Sequence, residues 1–344
     1  MRRIILGSVS ATCILFWASL LRAQSGPPAA APAWYNQPQL FKYESGYQTT
    51  DPLIYKVPFT GNAWGLGLNS PSSATNLNTG GDVPGSANEQ ALAAIVATWR
   101  LGGPFFANGN IHLLYLPQGT SIPSTWDSFR MRTLNGSYID DSVGTLGATN
   151  YSLSSPVFQS FIKAQAQTAV DLGADGFLMD DPSGQLDEML RLTPQNAGSF
   201  DVVTMAAFRN YLGQKYTATV LQQTFGIADI SSFDFGTYIQ ANGLAGKWNQ
   251  QPLSGLSLEY YFFKVQETVS FLADLISSTK QYAKQTYNRG FLFTCNCGYG
   301  PFGAYFARDS MDLTTNESYH LQSTTTAFSP DIPFMAPYIR AGKG

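Results

Sequence analysis

The sequence of 344 residues predicts an α/β fold of the (β/α)8 TIM-type barrel class. An amphipathic helix at 156–172 runs directly into a short apolar strand at 177–179, the mark of a parallel sheet with helical crossovers. Strand-like and helix-like segments alternate as far as residue 316. The length also suits a barrel, which needs about 250 residues plus insertions.

The chain opens with a secretory signal pattern at 1–23. Arg2 and Arg3 provide the charge, Ile4 to Leu21 the apolar stretch, and Ala23 a small residue suited to cleavage. Residues 24–55 form a linker or N-terminal arm, Ala- and Pro-rich at its start and without an apolar period. The barrel domain is expected over 56–344. Asn62 to Asn69 reads as a first strand, Ala87 to Leu101 as a helix, and Ile111 to Leu116 as a second strand. Gly80, Gly81, Pro84 and Gly85 make the loop between that first strand and helix.

Ser155 is a candidate N-cap, and Pro156 follows where its missing N–H costs nothing. Phe158, Phe161, Ile162, Ala166, Ala169, Val170 and Leu172 recur at helical spacing, and Gly173 closes the helix in the position that tolerates left-handed geometry. A further helix holds Val203, Phe208 and Leu212, and a long one runs from about Leu256 to Tyr287. Strands follow at Phe291 to Asn296 and Met311 to Asn316. Five or six strands by residue 316 leave a barrel that has not yet closed.

Composition narrows the partners. Charged residues are 12% of the chain, about half the usual share, while 14% are aromatic and the net charge is −3. With no Lys/Arg cluster, nucleic acid is excluded as a partner, and neutral ligands suit the surface. His112 and His320 lack ligand spacing, and Cys295 and Cys297 read as packed thiols, so no metal or other cofactor is expected. No segment beyond the signal is expected to engage a membrane, and the sequence does not specify an oligomeric state. The predicted localisation is secreted or periplasmic, with cleavage after Ala23.

Strands of a barrel deliver their C-terminal residues to the active face, which places Asp180 and Asp181 at its mouth. Glycoside hydrolysis uses a pair of carboxylates, and Glu317, after the strand at 311–316, is the distant partner. Both Asp residues also suit turn capping before Pro182. Trp64, Tyr299 and Tyr319 fall near strand ends as sugar platforms, with Trp99, Trp126, Trp248 and Tyr138 as further aromatics that suit either stacking or packing. Asn69, Asn296 and Asn316 are candidate hydroxyl ligands. Arg130 and Arg132 near Asp140 and Asp141 read as a surface ion-pair cluster, or as groups that orient hydroxyls. Asn135, Asn150 and Asn316 head glycosylation sequons.

Over about residues 150–344 the chain resembles the β-galactosidase-like barrel glycoside hydrolases and their relatives. Gly173-Ala-Asp-Gly-Phe-Leu-Met-Asp-Asp181 is similar to their fourth strand, and Phe208-Arg-Asn-Tyr-Leu212 to their Phe-Arg-x-Trp-Leu helix. Phe293-Thr-Cys-Asn-Cys-Gly298 resembles their Thr-Thr-Asn strand end, and Tyr305-Phe306, Met311-Asp312 and Glu317-Ser-Tyr319 their next helix and strand. The resemblance implies a glycosidase with a carbohydrate substrate. Three departures stand against it. Pro182 occupies the register of the acid/base Glu, so Asp180 or Asp181 takes a catalytic role, as in α-galactosidase-like barrels, or hydrolysis is lost. Ser199 to Thr204 replaces the relatives' Cys-x-Cys-x-x-Cys. The chain reaches Gly344 where relatives continue to a seventh strand carrying the nucleophile, so the expectation is a fragment truncated before the seventh and eighth strands.

In the leading model Asp180 is nucleophile or main electrostatic stabiliser, Glu317 general acid/base and Asp181 a substrate ligand. The alternative is a catalytically inactive carbohydrate-binding barrel. An esterase is disfavoured by the absence of a Gly-x-Ser-x-Gly elbow.

Overall fold

The structure is a computed structural model that describes residues 62–63, 97, 106–117, 124–143, 146–180, 182, 186, 189, 193–296 and 311–315. Five strands form a parallel sheet: β1 (Asn62–Ala63), β2 (Phe106–Asn110), β6 (Gly176–Asp180), β7 (Leu292–Asn296) and β8 (Leu313–Thr315). They lie side by side in the order in which the chain reaches them, with every neighbouring pair parallel. A second, antiparallel sheet holds β3 (Leu113–Pro117), β4 (Asp140–Val143) and β5 (Leu146–Asn150), with β5 in the middle.

The expected second strand at 111–116 is therefore displaced. The parallel strand is β2, and the apolar run after it turns away into the antiparallel sheet as β3. Of the expected helix at 87–101, Ala97 is described and is helical.

Helix α1 (Pro156–Asp171) forms as its signals predict. Ser155 accepts a hydrogen bond from the Phe158 N–H, Pro156 opens the first turn, and Gly173 adopts a φ of 87°. Helix α5 (Gly255–Tyr287), of 33 residues, packs beside α1. Both pack on one face of the sheet, where Phe158, Ala166, Phe271 and Leu275 meet Ala107, Phe177, Met179, Phe293 and Cys295 in a continuous core. Successive strand residues alternate faces. Phe106, Leu178, Leu292 and Thr294 thus belong to the opposite face, and each is at most 1% exposed.

At the lower edge, Arg289 ties α1 to the sheet. Its guanidinium donates to the carbonyls of Ala174 and Val170, each at 2.6 Å, just past and within the last turn of the helix, where cations are favoured. The hydroxyls of Tyr282 and Tyr287 both donate to Asp171.

Between β6 and α5 the chain builds a helical layer of its own, with α2 (Val202–Lys215), α3 (Ala218–Phe225) and α4 (Phe235–Ala241). Met205, Phe208, Leu212, Phe235, Ile239 and Trp248 pack there against Leu256, Tyr260 and Phe263, the first turns of α5. The helix containing Phe208 to Leu212 therefore closes this second core instead of covering the sheet.

Two glycines set the spacing of β2 against β6. A methyl group at Gly176 would meet the Phe106 ring, with Cδ1 at 2.7 Å, and the Leu292 carbonyl oxygen at 2.5 Å. A methyl group at Gly109 would collide with Phe177, whose Cε1 would lie 2.9 Å away. Gly176→Ala should lower stability by about 1–3 kcal/mol or more, because a backbone oxygen as well as a ring must move. Thermal melting of the purified variant checks this, and an unchanged melting temperature would show that the strands absorb the methyl group.

Candidate functional site

The site is built on strand ends. Residues Ala174 to Met179 are mostly buried, and β6 lies between β2 and β7, so its direction is fixed from both sides. In register, Asn110 pairs with Asp180, Asp180 with Asn296, and Asn296 with Thr315. Four adjacent parallel strands thus end in one row, Asn110, Asp180, Asn296, Thr315. In parallel α/β sheets this carboxyl edge is where sites form. Counting positions from Leu178 and Thr294, the row falls on the face away from α1 and α5.

Two of the predicted site residues meet here: Asp180 and Asn296 are direct register partners. Trp64, Asn69, Asp181, Tyr299, Asn316, Glu317 and Tyr319 lie outside the described residues. Asn110 was not foreseen. Nothing in Asn108-Gly109-Asn110 marks a strand end, since Asn and Gly are depleted in strands and Asn-Gly favours turns. Pro182 stands in a buried turn just past the row.

A buried polar cluster supports the same end of the fold. Crossover helices run back against parallel strands, so the N-terminus of α1 lies toward the carboxyl edge. There Lys264, 1% exposed, pairs with Glu267, which also accepts the Ser154 hydroxyl. Asp201 caps α2 by accepting the Thr204 N–H at 2.9 Å and the Thr204 hydroxyl at 2.7 Å, with the Ser199 hydroxyl at 3.0 Å. Burial raises the Asp201 carboxyl above the ordinary carboxylate range, against these hydrogen bonds and the positive charge of Lys264. Tyr260 donates to the Ser199 carbonyl at 2.8 Å, and burial together with the Asp201 charge pushes its phenol well upward.

The aromatic candidates sort by burial. Trp126 is 2% exposed among Phe129, Tyr151, Phe158 and Phe161, and Trp248 is 2% exposed in the helical core, so both pack rather than offer a face. Tyr138 is 40% exposed, but its ring lies 3.7 Å from the Arg130 guanidinium and 4.3 Å from that of Arg132. Arg132 pairs with Asp127 at 2.8 Å. Trp99 lies outside the described residues. Cys295 is fully buried, and Cys297 lies outside the described residues. His112 is fully buried. Asn150 is also fully buried and donates to the Ile139 carbonyl, so this fold has no room for a glycan on it, whereas Asn135 is exposed in a turn. Among the described residues no group of three or more His, Cys, Asp or Glu is placed to hold a metal ion. Among them, too, no helix is long and apolar enough to cross a membrane.

No protein-family model matches the chain, and no curated protein matches it. Solved structures that align with it at low identity include several glycoside hydrolases. An exo-β-agarase aligns over 73% of this chain and 32% of its own, at 14% identity and a TM-score of 0.39. The glycoside hydrolase domain of PelA from Pseudomonas aeruginosa aligns over 88% of this chain and 78% of its own, at 8% identity and 0.40. Ega3 from Aspergillus fumigatus, solved with galactosamine, aligns over 84% and 70%, at 9% identity and 0.37. The chain spans about a third of the agarase's length.

Two stability measurements follow from this sorting. Trp126→Ala should cost about 3–5 kcal/mol in chemical denaturation, the penalty of emptying a packed aromatic site. Lys264→Met should cost a similar 3–5 kcal/mol by leaving Glu267 and Asp201 buried without their cation. A loss under 1 kcal/mol for Lys264→Met would show that water reaches the cluster.

Proposed function

We propose that the chain is a secreted glycoside hydrolase of (β/α) barrel architecture that acts on a neutral oligo- or polysaccharide. One observation carries the reading: Asp180 ends the central strand of the parallel sheet, at the carboxyl edge, paired on either side with an asparagine position. Strand order without reversal, with α1 and α5 on one face and a second buried face behind, supports closure into a barrel, because right-handed crossovers keep helices on one side.

Within this reading Asp180 is the nucleophile or the main stabiliser of an oxocarbenium-like transition state. Glu317, two positions beyond the end of β8, is the general acid/base. Asp181 binds substrate. Trp64, Tyr299 and Tyr319 stack on sugar rings, and Asn69, Asn296 and Asn316 take hydroxyl groups. The closer kinship to β-galactosidase-like enzymes rests on the motifs between residues 173 and 319. Export follows from the pattern at 1–23.

Asp180→Asn tests the assignment, since it keeps size and hydrogen bonding while removing the charge. On a panel of neutral glycosides, activity should fall by about 10²–10⁴-fold or more with the melting temperature retained. Unchanged turnover would overturn the role of Asp180. The buried turn at Pro182, where an acid/base residue is expected, favours a second reading as a carbohydrate-binding barrel without catalysis. Oligosaccharide binding by calorimetry with no turnover would select it.

A further inference from the structure

The row at the carboxyl edge contains a residue for which the proposed chemistry has not yet provided a role. Asn110 pairs with Asp180 on one side just as Asn296 does on the other. We propose that Asn110 is a substrate-binding residue, and that Asn110 and Asn296 together hold the hydroxyl groups of a single neutral sugar unit centred on Asp180. This rests on the glycoside hydrolase reading for the reaction, but the binding role is separable from it.

Three observations support the assignment. The first is local preference overridden by packing. Asn108-Gly109-Asn110 combines residues that are depleted in strands, yet it forms the second strand of the parallel sheet. Sequences break such local rules mainly where a site demands it. The second is the precision of the placement. Phe106 occupies the space beside Gly176 and Phe177 the space beside Gly109, on opposite faces, so β2 cannot slip against β6 without a ring meeting backbone. A slip of one residue would carry Asn110 to the other face.

The third observation is the chemistry of the row. An amide offers both donors and an acceptor without charge, which matches a hydroxyl that donates and accepts. Neighbouring strands are about 4.8 Å apart, so Asn110 and Asn296 stand about 10 Å apart across Asp180, a span suited to hydroxyls on opposite sides of one pyranose ring. Of the four positions, Asp180 alone bears a charge and none is Lys or Arg, so an anionic sugar would face a carboxylate with no cation in the row. One step below, on the same face, Thr294 is fully buried, and its hydroxyl has no hydrogen-bond partner among the described residues. The level beneath the rim carries no formal charge, with Asn108 and Thr294 alternating with Leu178 and Leu313 in register.

The test uses the full chain with neutral gluco-, manno- and galacto-oligosaccharides, and oligogalacturonide as the charged counterpart. Asn110→Ala should lower kcat/KM on the best neutral substrate by about tenfold or more, chiefly through KM, with the melting temperature retained. Asn110→Ser, which keeps a short hydrogen-bonding group, should recover part of that loss and stands in if the alanine variant does not fold. If the wild type hydrolyses a neutral substrate, Asp180→Asn is inactive and Asn110→Ala matches the wild type, the role of Asn110 is overturned while the hydrolase reading stands. If the wild type binds without turnover and Asn110→Ala weakens binding by calorimetry, the hydrolase reading fails and the assignment of Asn110 holds. Absence of both binding and turnover overturns both, and equal handling of oligogalacturonide overturns the neutral-sugar class.

Discussion

Phe106 against Gly176 and Phe177 against Gly109 form the contact on which the arrangement of the site depends. Each aromatic ring fills the space that the opposite strand leaves by lacking a side chain, one on either face of the sheet. The pairing brings β2 and β6 into a single register, and β7 and β8 extend it through their own ladders. The level of Asp180 relative to Asn110 and Asn296 is therefore a packing property of the strand interiors, set several residues before the polar row begins. Tight packing of this kind tolerates few changes of volume.

Helix α5 is the second organising element. At about 1.5 Å per residue its 33 residues span about 50 Å, long enough to serve two cores. Its C-terminal half, from Phe271 to Ala283, packs on the sheet, and its first turns, from Leu256 to Phe263, close the helical layer. Lys264 and Glu267 occupy the junction, joined to Ser154 at the start of α1 and facing the capped end of α2 at Asp201. Buried ion pairs contribute little net stability but are costly to break. Here the pair lies within α5, and its links outward are the Ser154 hydroxyl on Glu267 and the charge of Lys264 acting on Asp201.

Much of the fold was legible in the residues. Helix α1 carried its own start and stop in Ser155-Pro156 and Gly173, β6 was a bounded apolar run, and α5 showed a sustained helical period. The segment at 106–117 was legible only in part. The apolar run at 111–116 does contain a strand, β3, but the parallel strand β2 precedes it in a stretch whose Asn-Gly-Asn carries no strand signal. Local preference lost there to the Gly109 and Phe177 contact, which is nonlocal and has no sequence signature. The aromatic candidates divided in a similar way. Trp126 and Trp248 belong to cores because neighbouring elements enclose them, and spacing along the chain carries no information about that enclosure.

By itself the sequence determined the elements with a local cause: caps, helical period, apolar strand, and a carboxylate at a strand end. It also determined the uncharged polar character that favours a neutral ligand. Only the tertiary structure decided which strand neighbours which, that the run after β2 leaves the parallel sheet, and that Asn110 stands beside Asp180. The physical reason is that alternation along a strand assigns a residue to a face. Its neighbour on the next strand is chosen by side chains far away in sequence.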